Sequence, residues 1–92
     1  MPAVVAMHVH RYLTEEDPIG TTTWGYRVTD EMGRHWEVMV TCEAADLHSW
    51  VIPRNFQRSI RDPNEVYPSR EQALAAALRW IREHGAKRHR ET

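Results

Sequence analysis

Cysteine is nearly missing from this chain. Cys42 is the only one, so no intrachain disulfide forms, and a single thiol fits a reducing compartment. Long apolar runs are missing too. Nothing approaches the ~20 residues of a bilayer-spanning helix. The Ala3-Val-Val-Ala-Met7 run is too short for a signal-peptide core and has no basic start before it. The expected location is therefore cytoplasmic. Glycine is sparse, with four residues scattered along the chain, and no GxxxxGK or GxGxxG spacing is present to cradle a phosphate. Lysine is reduced to Lys87. Twelve basic residues stand against thirteen acidic ones, for a net charge of −1. A chain-wide basic field, the usual footprint of nucleic-acid binding, is absent.

Tryptophan and histidine are plentiful instead, with four Trp and six His in 92 residues. That length makes one domain, which buries roughly 60–65% of its unfolded surface. Large aromatics help so small a core. The expected organisation is a single α+β domain over residues 1–85 and a flexible basic tail over 86–92.

The stretch from Thr21 to Cys42 organises the rest. Trp24, Tyr26 and Val28 alternate with Thr23, Arg27 and Thr29. Trp36, Val38, Val40 and Cys42 alternate with His35, Glu37, Met39 and Thr41. Successive strand side chains point to opposite faces, so each run has one apolar and one polar face. Asp30 to Gly33 supplies the turn, with Gly33 free to take a positive φ. This is a β-hairpin. Upstream, Val5, Met7, Val9 and Leu13 alternate with Ala6, His8, His10 and Tyr12, a first strand over about 4–13. Arg11 interrupts its apolar face. Residues 15–20 read as a loop.

Residues 43–62 are ambiguous. His48 to Ile52 suits a fourth strand ended by Pro53, and Phe56 and Ile60 have helical spacing. The C-terminal helix is clearer. Ser69 is an N-cap, and Gln72 completes a capping-box pattern. Leu74, Ala77, Leu78 and Ile81 form one stripe, with Trp80 at its edge. Gly85 is a candidate C′ residue. The expected fold is α+β: a three- to four-stranded antiparallel sheet with one C-terminal α-helix packed on one face. The second face is left to water. It carries His8, His10, Tyr12, Arg27, His35, Glu37 and Met39, the candidate binding set.

Candidate chemistry is thin. His8 and His10 share a strand face, and His35 is a third ligand only if it converges with them. Cys42, Glu43 and His48 have the residue types of a Cys/His nucleophile site, but Cys42 is expected to be buried on the apolar face and inert. The carboxylates at Glu15-Glu16-Asp17 and Asp30-Glu31 read as solvated turn charges. Arg54, Arg58, Arg61, Lys87, Arg88 and Arg90 form a candidate phosphate-facing rim. Trp50 is either a core lid or an exposed anchor for a partner.

The hairpin followed by Tyr67-Pro-Ser-Arg-Glu-Gln-Ala-Leu-Ala-Ala-Ala resembles the three-strand-plus-helix DNA-binding domains of plant AP2 factors and integrase arm-binding domains. That resemblance implies a sheet face in the major groove, for which Arg27 and Arg34 are the available basic residues, with the acidic Glu37 set against them. Ser69-Arg-Glu-Gln-Ala-Leu is also similar to the helix start of HicB-type antitoxins. No functional residue is carried across. The expectation drawn from the residues is a non-enzymatic binding module without a cofactor. It takes a protein partner or a second copy of itself through the polar sheet face. DNA binding through that face and the basic tail is one alternative. Metal binding through His8, His10 and His35 is the other.

Overall fold

The computed structural model describes residues 7–44, 47–55, 58–61 and 66–91. Five strands precede one helix: β1 (His8–Glu16), β2 (Thr22–Thr29), β3 (His35–Ala44), β4 (Leu47–Asn55), β5 (Arg58–Arg61) and α1 (Arg70–Glu91). All strands pair antiparallel with their chain neighbours, in the order β1-β2-β3-β4-β5. The sheet is a meander, the topology that short connections favour. The helix lies across one face, over β3 and β4.

The two-layer α+β expectation holds, with five strands instead of three or four. The extra strand comes from the ambiguous region. Arg58–Arg61 is extended and pairs with β4, so the helical spacing of Phe56 and Ile60 was coincidental; Phe56 itself lies outside the described residues. Pro53 does not end β4. It lies past Val51, where the β3 ladder stops, and pairs only toward β5. Its missing N–H therefore costs no bond to β3. Strand β1 also runs further than expected. Glu15 and Glu16 are part of it, while Val5 lies outside the described residues.

The core follows the alternation. Tyr26, Val28, Trp36, Val38, Val40, Trp50 and Ile52 are buried on one sheet face against Ala73, Ala76, Ala77 and Ile81. The helix stripe is turned from its expected setting. Alanines lie at its centre, while Leu74 and Leu78 are half-buried at its flank. Small helix residues let the backbone approach, and the space is filled by tryptophans. Trp80 meets Trp36 edge-on at 6.3 Å between centroids and lies 6.4 Å from Trp50. Trp50 is a core residue, 3% exposed, as the lid reading had it.

The helix start is fixed by the backbone. His48 and Tyr67 exchange N–H···O bonds of 2.9 and 2.8 Å, which delivers the chain to Ser69. Ser69 Oγ accepts from Gln72 N at 3.1 Å, the expected N-cap. Gly85 does not end the helix, which continues to Glu91. A glycine inside a helix costs only about 1 kcal/mol relative to Ala.

Asp30 overturns its reading as a solvated turn charge. It is 4% exposed. Its carboxylate accepts from Trp36 Nε1 and the N–H groups of Met32 and Arg34, all at 2.9 Å, and from Arg34 Nε at 3.0 Å. Burial alone would raise its pKa. The bonds from Trp36, Arg34 and Met32 outweigh that and hold it below the usual 3.8. Gly33, at φ 82°, completes the turn. Next to it, Glu31 Oε1 accepts from Arg82 Nε at 2.7 Å, tying turn to helix.

Candidate functional site

The face away from the helix is built in rows across the strands. Register alone places His10, Arg27 and Glu37 in one row, and His8, Thr29 and His35 in the next. A third row holds Leu13, Gly25, Met39 and Val51, and ends at Arg61. Directly paired residues share a face. Six residues of the candidate set, His8, His10, Arg27, His35, Glu37 and Met39, therefore lie on this side, and Tyr12, which has no register partner, joins them through its contacts with Glu37 and Arg27.

Leu13 was expected on the helix side. A bulge between Arg11 and Leu13 reverses the alternation, so Tyr12 and Leu13 both face outward. Before the bulge, Val9 and Arg11 face the helix side, opposite Val28 and Tyr26. The bulge lies beside Gly25. A Cβ there would sit 3.1 Å from Leu13 Cβ and Tyr12 Cζ, and 3.2 Å from Met39 Sδ. The bare backbone lets three side chains close over it. Tyr12, Leu13, Met39 and Val51 thus form an apolar band in the middle of the open face. Leu13 and Val51 were missed in the sequence. The available signal was Gly25 itself, since glycine inside a strand marks a bulge or a close approach.

Polar side chains frame that band in fixed contacts. Tyr12 donates its hydroxyl to Glu37 Oε2. The Arg27 guanidinium stacks on the Tyr12 ring, 4.8 Å from its centroid. Burial, then the bond to Glu37 and its negative charge, raise the Tyr12 pKa above 10.0, while Arg27 opposes them. His35 Nδ1 lies 3.2 Å from Thr29 Oγ1. A hollow of about 400 Å³ lies beside these groups, lined by Arg27, His35, Trp36 and Glu37.

The other candidate groups separate. His8 and His35 flank Thr29, two strands apart, and His10 lies in a different row. Among the described residues, no three His, Cys, Asp or Glu are placed to hold a metal ion. Cys42 and His48 are direct cross-strand partners on the helix side. Cys42 is half-buried rather than buried. His48 is buried, stacks on Trp24 at 6.1 Å, and has Nδ1 3.3 Å from the Tyr67 carbonyl. Arg70 covers Trp24 from 4.9 Å. These contacts close the sheet end near the helix start. Of the basic rim, Arg61 is exposed, and the side chains of Arg54, Arg58, Lys87, Arg88 and Arg90 lie outside the described residues. No described helix is long and apolar enough to cross a membrane. No protein-family model matches this chain, and no curated protein or solved structure matches it either.

Proposed function

We propose that this chain is a non-enzymatic binding module that takes a protein partner on the open face of its sheet. One observation carries the reading: an apolar band of Tyr12, Leu13, Met39 and Val51, half-exposed and framed by Arg27, Glu37 and His35. Protein interfaces combine apolar and aromatic centres with a polar rim, and favour Tyr, Met and Arg. The Tyr12–Glu37 bond and the Arg27 stack hold those side chains in place before binding, which lowers the entropy lost on association. Nucleic acid is the weaker partner for this face, because Arg27 is matched by Glu37 in the same row.

Site-specific photocrosslinking in cells tests the reading. A photoreactive residue replacing Met39 is expected to give a discrete protein adduct, which Arg27→Glu abolishes. The same probe at Glu83, on the exposed helix surface, is expected to give none. Equal labelling from both positions, or none from Met39, rejects the reading.

A further inference from the structure

We propose that β1 pairs antiparallel with β1 of a second copy of this chain, about a two-fold axis between Tyr12 and Leu13, to make one continuous sheet. This goes beyond the open-face reading and does not depend on it.

The two sheet edges differ. Strand β5 is four residues long, a short edge of the kind that resists pairing. Strand β1 is nine residues long, has no proline, and among the described residues pairs only with β2. Its bulge limits what can add to it. A regular strand laid along β1 falls out of phase on one side of Tyr12, because the alternation reverses there. A strand with the same irregularity at the facing position stays in phase throughout. β1 read in the opposite direction is such a strand. With Tyr12 opposite Leu13 of the second copy, Arg11 meets Thr14, His10 meets Glu15 and Val9 meets Glu16. Each of these pairs joins residues from the same sheet face, given the register with β2.

Charge selects the same arrangement. β1 begins with His8, His10 and Arg11 and ends with Glu15 and Glu16. Antiparallel pairing lays each end against its opposite. On the helix side, Glu16 of the second copy arrives beside Val9, at a hollow of about 460 Å³ between β1 and α1. Arg79 and Arg82 line that hollow with Met7, Val9 and Leu78. Arg82 already binds Glu31, and Arg79 is exposed. On the open side, Tyr12 and Leu13 of both copies meet at the axis. The two apolar bands become one.

Sedimentation equilibrium of the full chain at low salt, from micromolar to millimolar, is expected to give twice the mass of one chain, with an affinity that falls as salt rises. Glu16→Arg and Arg79→Glu are each expected to weaken the dimer about tenfold or more, and the double variant to recover most of the loss. These residues are exposed, and unchanged melting curves check that the variants fold. A monomer at every concentration overturns the proposal. So does a dimer indifferent to both reversals. A dimer weakened by Met39→Ala but not by Glu16→Arg places self-association on the open face, which overturns the edge pairing and favours the open-face reading.

Discussion

The two faces of the sheet are made by the same strands and differ in what holds their side chains. On the helix side, Val28, Val38, Val40 and Ile52 are fully buried, in one cluster with Trp36, Trp50 and the helix alanines. On the open side, the central residues are half-buried or exposed, and their contacts include a hydroxyl–carboxylate bond, a stacked guanidinium and a close approach over Gly25. Period-two alternation sends neighbouring residues of one strand to these two environments. Val38 stabilises the fold, and Glu37 beside it arranges a surface. Substitutions on the helix side should therefore lower stability, and those on the open side should change binding with little loss of stability.

The largest effect is expected at Ile81. It is 1% exposed and seals α1 against the sheet. Ile81→Ala removes buried volume and should cost about 2–5 kcal/mol. Urea unfolding measures it. A loss below about 1 kcal/mol would mean that the helix is not the lid of this core.

Asp30 comes next. It belongs to the covered side although it sits in a turn. Asp30→Ala leaves Trp36 Nε1 and two N–H groups without their acceptor, a cost of about 1–3 kcal/mol or more. The pH dependence has a definite sign. The folded pKa lies below the unfolded value, so the unfolded chain binds more protons between the two. The stabilisation is complete above 3.8 and declines as pH falls below it toward the folded value. Acid titration of stability should show this step in the native chain and a smaller one in Asp30→Asn. Identical acid profiles would remove the buried carboxylate from the account.

Much of the covered side was legible in the sequence, and the reasons are physical. Trp36, Val38 and Val40 alternate without interruption, and an uninterrupted alternation fixes a face. Ser69 and Gln72 gave the helix start because capping is local chemistry. The helix centre was misread in part because Leu74 and Leu78 drew attention from Ala73 and Ala76, while Ala77 and Ile81 lie on the buried stripe as expected. Size marks hydrophobicity, but the closest approach belongs to the smallest residues. Asp30 was misread because its burial depends on Trp36, six residues on, folding back over the turn. Ser69→Ala tests the legible part directly. It should cost about 1 kcal/mol, and an unchanged melting temperature would separate the cap from the stability of α1.

The open face was legible in its polar residues but not in its apolar band, since Leu13 and Val51 were missed, nor in its arrangement. The bulge at Tyr12 cannot be read from alternation, because the residues on either side fit one regular strand. At the bulge Tyr12 meets Glu37, and that contact yields the smallest and most specific prediction. Tyr12 is 36% exposed, so solvent screens the bond, and Tyr12→Phe should cost at most about 1 kcal/mol. Its signature lies at alkaline pH. The folded pKa is raised above 10.0, so the contribution is fully present below 10.0 and is lost as pH rises through the folded value. Glu37→Gln removes the negative charge and weakens the bond but leaves the burial, so the Tyr12 titration should move back toward 10.0 without returning to it. NMR of the Tyr12 ring carbon bearing the hydroxyl resolves this from Tyr26, whose pKa burial also raises. If Tyr12 titrates unchanged in Glu37→Gln, the two side chains do not meet in solution. The frame around the apolar band would then form only when a partner arrives.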